Sequence, residues 1–189
     1  MKIIILSDSH SMTKQTLLQF IKNHPASYYI HCGDIYMPYT PLEVDHFYNV
    51  RGNNDFVDLP KDLTLDIDHL KFFICHGHLF HIDESPYELE AYAFNHHIDV
   101  VCFGHTHNPT YYKKENTIFI NPGSMTFPRG QYPHPTYCVF ETTNQEATFY
   151  DLKTDYPCNP FKKIKKNPFL KDSLNNYFSI MIEVGKIPL

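Results

Sequence analysis

The sequence predicts an α/β fold: a sandwich of two mixed β-sheets packed together, with helices outside. Three observations carry that prediction. Short apolar runs rich in β-branched residues recur along the chain and stop at polar, mostly glycine-containing turns, as strands buried on both faces do. Helical periodicity is concentrated in the first half, whereas the second half consists of paired runs that read as hairpins. The chain has 189 residues, 42% of them apolar, enough to bury about two thirds of its unfolded surface in one core. No internal repeat is present.

The elements follow in order. Lys2–Leu6 is an apolar strand, and Ser11–Asn23 carries Leu17, Leu18, Phe20 and Ile21 at helical spacing. Ser27–His31 and His46–Val50 are the next strands, ending in the turns Cys32-Gly33-Asp34 and Arg51-Gly52-Asn53-Asn54-Asp55. Thr64–Ile67 and Leu70–Cys75 flank Asp68-His69 as a hairpin, and the second run stops at His76-Gly77-His78. Ser85-Pro86-Tyr87-Glu88 has the form of a capping box with proline at the first helical position, predicting a helix over 86–96. Ile98–Phe103 is a strand that ends at Gly104-His105-Thr106-His107. Thr110–Lys113 pairs with Thr117–Asn121, and Tyr137–Thr142 with Ala147–Leu152, as two further hairpins.

Composition divides the chain into a domain at 1–152 and a basic, apolar C-terminal extension at 153–189. The extension holds seven of the sixteen basic residues and three of the twenty-one acidic ones, so the body carries 9 minus 18, or −9, against −5 for the whole chain. That acidity argues against duplex nucleic acid as a partner, which calls for a basic face. The cluster Lys162-Lys163-Ile164-Lys165-Lys166 reads as a solvated segment. Phe161, Phe169, Leu170, Leu174, Tyr177, Phe178, Ile180, Met181 and Ile182 are apolar enough to pack on the domain or on a partner subunit, so a homo-oligomer stays open. Five scattered cysteines, odd in number and without a C-x-x-C pair, suit core packing in a reducing cytoplasm better than disulfides or a structural zinc site. The apolar run at the N-terminus is too short for a signal sequence, and no stretch reaches the length of a membrane span.

Five turns share one property: each follows an apolar strand and holds metal-capable side chains. They are Asp8-Ser9-His10, Gly33-Asp34, Gly52-Asn53-Asn54-Asp55, His76-Gly77-His78 and Gly104-His105-Thr106-His107. In α/β sheets, sites form beyond the strand ends, where turns distant in sequence converge. Mixed imidazole, carboxylate and amide ligands suit Mn²⁺, Fe or Zn²⁺ better than Ca²⁺ or Mg²⁺. The set exceeds what one tetrahedral ion needs, so a pair of ions is the economical reading.

Taken together, SDSH, CGD, RGNND, CHGH and FGHTH resemble the calcineurin-like metallophosphoesterase superfamily, in particular its small single-domain bacterial and archaeal phosphodiesterase branch. The resemblance spans residues 1 to about 150. It implies two divalent metal ions, Mn²⁺ first, with Zn²⁺, Fe or Ni²⁺ as alternatives. It implies Asp8, His10 and His107 on one ion, Asn53, His76 and His105 on the other, and Asp34 bridging both. Asp34, Asn53 and His76 would then act in catalysis through a metal-held hydroxide that attacks phosphorus in line. Asp55 would orient the turn or a ligand rather than touch metal.

One position departs from the larger relatives, which carry histidine after the ligand asparagine; here Asn54 stands there, and an amide cannot act as a general acid. Asn54 and His78 are therefore only auxiliary candidates, and His78 reads equally well as a polar residue of an exposed loop. Asn121-Pro122-Gly123-Ser124 reads either as support for the metal site or as a plain turn. The expected substrate is a small phosphoester, most naturally a diester, in the cytoplasm and with no membrane partner. Two rival functions stand beside it: a non-catalytic, protein-binding scaffold of the same fold, as in a retromer subunit, and a nucleic-acid phosphodiesterase. The complete ligand set opposes the first, and the acidic body opposes the second.

Overall fold

The computed structural model describes residues 1–36 and 42–161. In one sheet β1 (Lys2–Leu6), β2 (Tyr28–His31) and β3 (Phe47–Asn49) run parallel, and β9 (Thr136–Glu141), β10 (Glu146–Asp151) and β11 (Pro157–Cys158) extend the other edge antiparallel, in the order β11-β10-β9-β1-β2-β3. The other sheet has five strands: β4 (Asp62–Ile67), β5 (Leu70–Cys75), β6 (Val100–Cys102), β7 (Thr110–Lys114) and β8 (Thr117–Asn121). Their order is β4-β5-β6-β8-β7, with β5, β6 and β8 parallel. The expected sandwich of two mixed sheets is what forms.

Strand parity explains why these runs are apolar throughout. Ile3, Ile5, Ile30 and Cys32 point between the sheets, against Phe72, Ile74, Val100, Cys102, Ile118 and Ile120. Ile4 and Leu6 point the other way, onto Leu17, Phe20 and Ile21 of α1 (Lys14–Asn23). Phe73, Cys75, Val101 and Phe103 likewise back onto Leu89 and Ala93 of α2 (Tyr87–Asn95). Each central strand is therefore covered on both faces and needs no polar alternation. Edge strand β4 does alternate, with Asp62, Thr64 and Asp66 exposed, and so begins two residues before the apolar run that predicts it.

The local signals act as expected, with instructive exceptions. Asp68 and His69 both hold positive φ, 49° and 69°, as a two-residue hairpin turn with right-handed strand twist requires. α1 starts at Lys14 rather than at the expected Ser11, because the Thr13 hydroxyl accepts from the Thr16 N–H at 3.1 Å and caps it there. At α2 the Ser85 hydroxyl accepts from the Tyr87 N–H at 3.2 Å and Pro86 has helical angles. The return bond of a capping box is missing, because the Ser85 N–H already donates to the His81 carbonyl at 3.0 Å.

The sheet runs past residue 152. β11 pairs with β10, the Asp155 carboxylate accepts from Tyr137 at 2.6 Å and from His24 at 3.0 Å, and the Phe161 ring meets Phe149 edge-on. A two-residue strand within a proline- and lysine-bearing stretch leaves no periodic signal. The Lys162–Lys166 cluster and the apolar residues beyond it lie outside the described residues. No helix among the described residues is long and apolar enough to cross a membrane.

Candidate metal centre

The parallel strands of both sheets deliver their C-terminal turns to one place. Asp8 follows β1, Asp34 follows β2, Asn53 follows β3, His76 follows β5 and His105 follows β6. Near Asp8, three ligand atoms converge. His107 Nε2 lies 3.2 Å from Asp8 Oδ1 and 3.2 Å from His10 Nε2, and His10 Nε2 lies 3.8 Å from Asp8 Oδ1. Beside them, Asn53 Oδ1 stands 3.0 Å from both His76 Nε2 and His105 Nδ1. Asp34 Oδ2 lies between the groups, 3.4 Å from His76 Nε2 and 3.7 Å from His10 Nε2. Asp8 Oδ1 also comes within 3.9 Å of His76 Nε2, so both carboxylates face both halves.

The surrounding backbone fixes how each ring presents itself. The Nδ1–H of His76 donates to the Cys32 carbonyl and that of His107 to the Phe127 carbonyl, each at 2.7 Å. Because a carbonyl only accepts, Nδ1 carries the proton and the Nε2 lone pair of the neutral ring faces the cluster. Burial alone would lower the His76 and His107 rings; the carboxylates of Asp34 and Asp8 outweigh it and raise both above the ordinary histidine value. Burial lowers His10 and His105. Burial alone would raise the Asp34 carboxyl, but the His76 ring and the Asn54 amide hold it well below the carboxylate range.

Several residues brace the ligand loops through hydrogen bonds. Asp55 accepts from the N–H groups of Asp34, Gly52 and Tyr36 at 2.8–2.9 Å, locking the second turn to the third. Asn54 donates through its backbone N–H to Asp34 Oδ1 at 2.8 Å and through its amide to Oδ2 at 2.7 Å. Asn121 donates to the Gly104 carbonyl at 2.8 Å and to Thr106 Oγ1 at 3.0 Å; Ser124 donates to the Asp8 carbonyl at 2.8 Å. The Asn121–Ser124 turn is thus a brace between two ligand loops. Its composition signals a turn, but nothing in it signals those partners.

Two glycines are sterically required. A Cβ on Gly104 would fall 1.9 Å from Ser7 Oγ, and one on Gly52 would fall 2.0 Å from Asp34 Oδ1. The ligand loops are also strained: Asp8, His10, Asp34, His105 and His107 all hold positive φ, between 31° and 68°.

This arrangement fits divalent cations. Asp8 is fully buried, and its Oδ1 has no hydrogen-bond donor among the described residues although it faces three histidine nitrogens. A buried carboxylate oxygen without a donor is costly, and a cation among those lone pairs is the partner that the donor set lacks. The geometry brings together Asp8, His10, Asp34, Asn53, His76, His105 and His107. Asn54 meets the cluster through Asp34, donating to the same Oδ2 that faces His76 and His10. The His78 ring is half-buried at the margin, 5.4 Å from the His76 ring and 6.1 Å from that of His105.

Comparisons agree with the geometry. The calcineurin-like phosphoesterase superfamily domain matches residues 1–145. The probable metallophosphoesterase YsnB of Bacillus subtilis is 33% identical over 156 residues, covering 80% of this chain and 91% of that protein. Phosphodiesterase MJ0936 of Methanocaldococcus jannaschii is 28% identical over 144 residues, 65% of this chain and 83% of that protein. The crystal structure of a predicted phosphoesterase from Streptococcus pneumoniae superposes with a TM-score of 0.75 at 27% identity, covering 80% of this chain and 90% of that one. The chain therefore belongs to the calcineurin-like phosphoesterase superfamily.

Proposed function

We propose that this metallophosphoesterase is a phosphodiesterase that uses two divalent ions, Mn²⁺ ahead of Zn²⁺, Fe or Ni²⁺, to hydrolyse a small phosphodiester. The observation that carries the reading is the donor-less Asp8 Oδ1 facing His10, His76 and His107. Asp8, His10 and His107 would hold one ion, Asn53, His76 and His105 the other, and Asp34 would touch both. When bound, such ions supply Lewis-acid charge and a water activated at neutral pH.

The chain's own residues set what remains. The Cys32 and Phe127 carbonyls keep His76 and His107 in the ligand tautomer. Asn54 holds both oxygens of Asp34 and so fixes the direction of that carboxylate. Asn54 cannot protonate a leaving group, and the half-buried ring of His78 is the nearest auxiliary candidate. Esters whose leaving group departs without a proton, such as aryl phosphodiesters, are therefore the expected best substrates.

The test is Asp34→Ala and His76→Ala, each checked for folding by circular dichroism. Both should lose about 10²-fold or more of the Mn²⁺-dependent hydrolysis of bis(4-nitrophenyl) phosphate and should purify with less bound metal. Full metal-dependent hydrolysis by either folded variant would overturn the assignment.

A further inference from the structure

A cleft of about 670 Å³ opens beside the candidate centre and shares His105 with it. Its size suits an organic group rather than an ion alone. Ile82, Pro86 and Phe103 give it apolar walls, and its only ordinarily charged side chains are Arg129 and Asp83. The two charges are anchored at different halves of the centre. The Arg129 N–H donates to the His107 carbonyl at 3.0 Å, whereas Asp83 Oδ1 lies 3.8 Å from His105 Nε2.

The Arg129 backbone is fixed. Its N–H bond to His107 holds it to that ligand loop, and Gly130 follows at φ 85°, a conformation that favours glycine. The side chain is not committed: among the described residues the guanidinium has no hydrogen bond or ion pair. Of the two arginines of the chain, Arg51 precedes the Asn53 turn and Arg129 is the one that lines this cleft. A guanidinium presents a planar fork of donors that matches phosphoryl oxygens. The exposed Asp83 carboxylate does the opposite and disfavours a second anion nearby.

We propose that this cleft receives the non-reacting organic group of the substrate and selects it by charge. Arg129 takes the phosphoryl oxygens, and Asp83 favours a cationic or neutral substituent over an anionic one. The inference rests on the phosphodiesterase reading and adds the substrate class: a diester with one phosphoryl charge and no further negative charge on the retained group.

The experiment uses three 4-nitrophenyl phosphodiesters with the same leaving group and choline, ethyl or 2-carboxyethyl as the second substituent. The wild-type protein with Mn²⁺ should prefer choline over carboxyethyl by about tenfold or more in kcat/KM, with ethyl between them. Asp83→Lys should reverse that order, and Arg129→Gln should raise KM for all three about tenfold. Calorimetric titration with ethyl phosphocholine, a poorly reactive analogue, should show weaker binding to both variants. Equal kcat/KM for the three esters, or an unchanged order in Asp83→Lys, overturns the charge selection while leaving the phosphodiesterase reading intact. Failure of the wild-type protein to hydrolyse any of the three overturns both.

Discussion

Asp8 and Asp151 are almost equally buried, at 0% and 3% exposure, yet they sit in opposite chemical situations. Each oxygen of Asp151 accepts twice: Oδ2 from Tyr132 at 2.9 Å and His134 at 2.6 Å, Oδ1 from the Lys153 and Thr154 N–H groups at 2.9 and 3.0 Å. Asp8 has one oxygen held by Ser7 at 2.6 Å and the His105 N–H at 3.2 Å, and a second with no donor among the described residues. The first carboxylate is complete and ties a loop to a sheet edge. The second is complete only with a cation, which is how a buried charge distinguishes a functional site from a structural one.

The largest effect should come from Asp8→Asn. It should lower Mn²⁺-dependent turnover by about 10²-fold or more and abolish the rise in Tm that Mn²⁺ binding is expected to give the wild-type protein. In chelator its stability should not fall. The amide oxygen can still accept from Ser7, while its NH₂ can donate to the facing ring nitrogens and removes a buried negative charge beside Asp34. A loss in chelator as large as that of Asp151→Asn would show that Asp8, too, is held in place by protein donors rather than by a cation.

Asp151→Asn should behave in the reverse way, with turnover kept and stability lowered by about 2 kcal/mol at pH 7. Turned toward Lys153 and Thr154 the NH₂ meets two N–H donors; turned toward Tyr132 and His134 it exchanges two charge-assisted bonds for weaker neutral ones to a hydroxyl and a ring nitrogen that must stop donating. Chemical denaturation with and without Mn²⁺ measures both variants on one scale.

That difference should depend on pH with a definite sign. Burial alone would raise the Asp151 carboxyl; the Thr154 N–H, with Tyr132, His134 and the Lys153 N–H, outweighs it and holds the group below the ordinary value. The folded protein therefore releases this proton more readily than the unfolded chain. Its stabilisation is complete above the unfolded value of about 3.9 and is lost as pH falls through the folded one. The gap between wild type and Asp151→Asn should be constant from pH 7 to about 5 and shrink below about pH 4. A gap that widens on acidification would mean that the carboxylate is not what holds the loop.

Sequence and structure divide unevenly over these two aspartates. Asp8 is legible because its turn has an identity: a carboxylate and an imidazole two residues apart, after a strand, with metal-capable side chains at four other strand ends. The inter-sheet core is legible for a related reason, since strands such as β1, covered on both faces, show no polar interruption. Asp151 is not legible, because two of its donors are backbone N–H groups that any sequence provides. The same holds for the Cys32 and Phe127 carbonyls that set the histidine tautomers, and for β11, whose two residues are too few for a period. Convergence of Asn53 with His76 and His105 depends on sheet order, which spacing along the chain does not encode.

The smallest effect is expected at His134. His134→Ala removes one of the four donors to Asp151 and leaves Tyr132 and both backbone N–H groups in place. The His134 side chain is 47% exposed, so water can occupy the vacated position. The cost at pH 7 should stay below about 1 kcal/mol. The Asp151 carboxyl should then titrate nearer its ordinary value, so the variant loses stability at a slightly higher pH than the wild type. No comparable single-donor deletion exists for Asp8 Oδ1, because no side chain donates to it. If His134→Ala instead cost as much as Asp151→Asn, the four donors would act as one cooperative unit, and Asp151 would be only one member of the network that holds this loop.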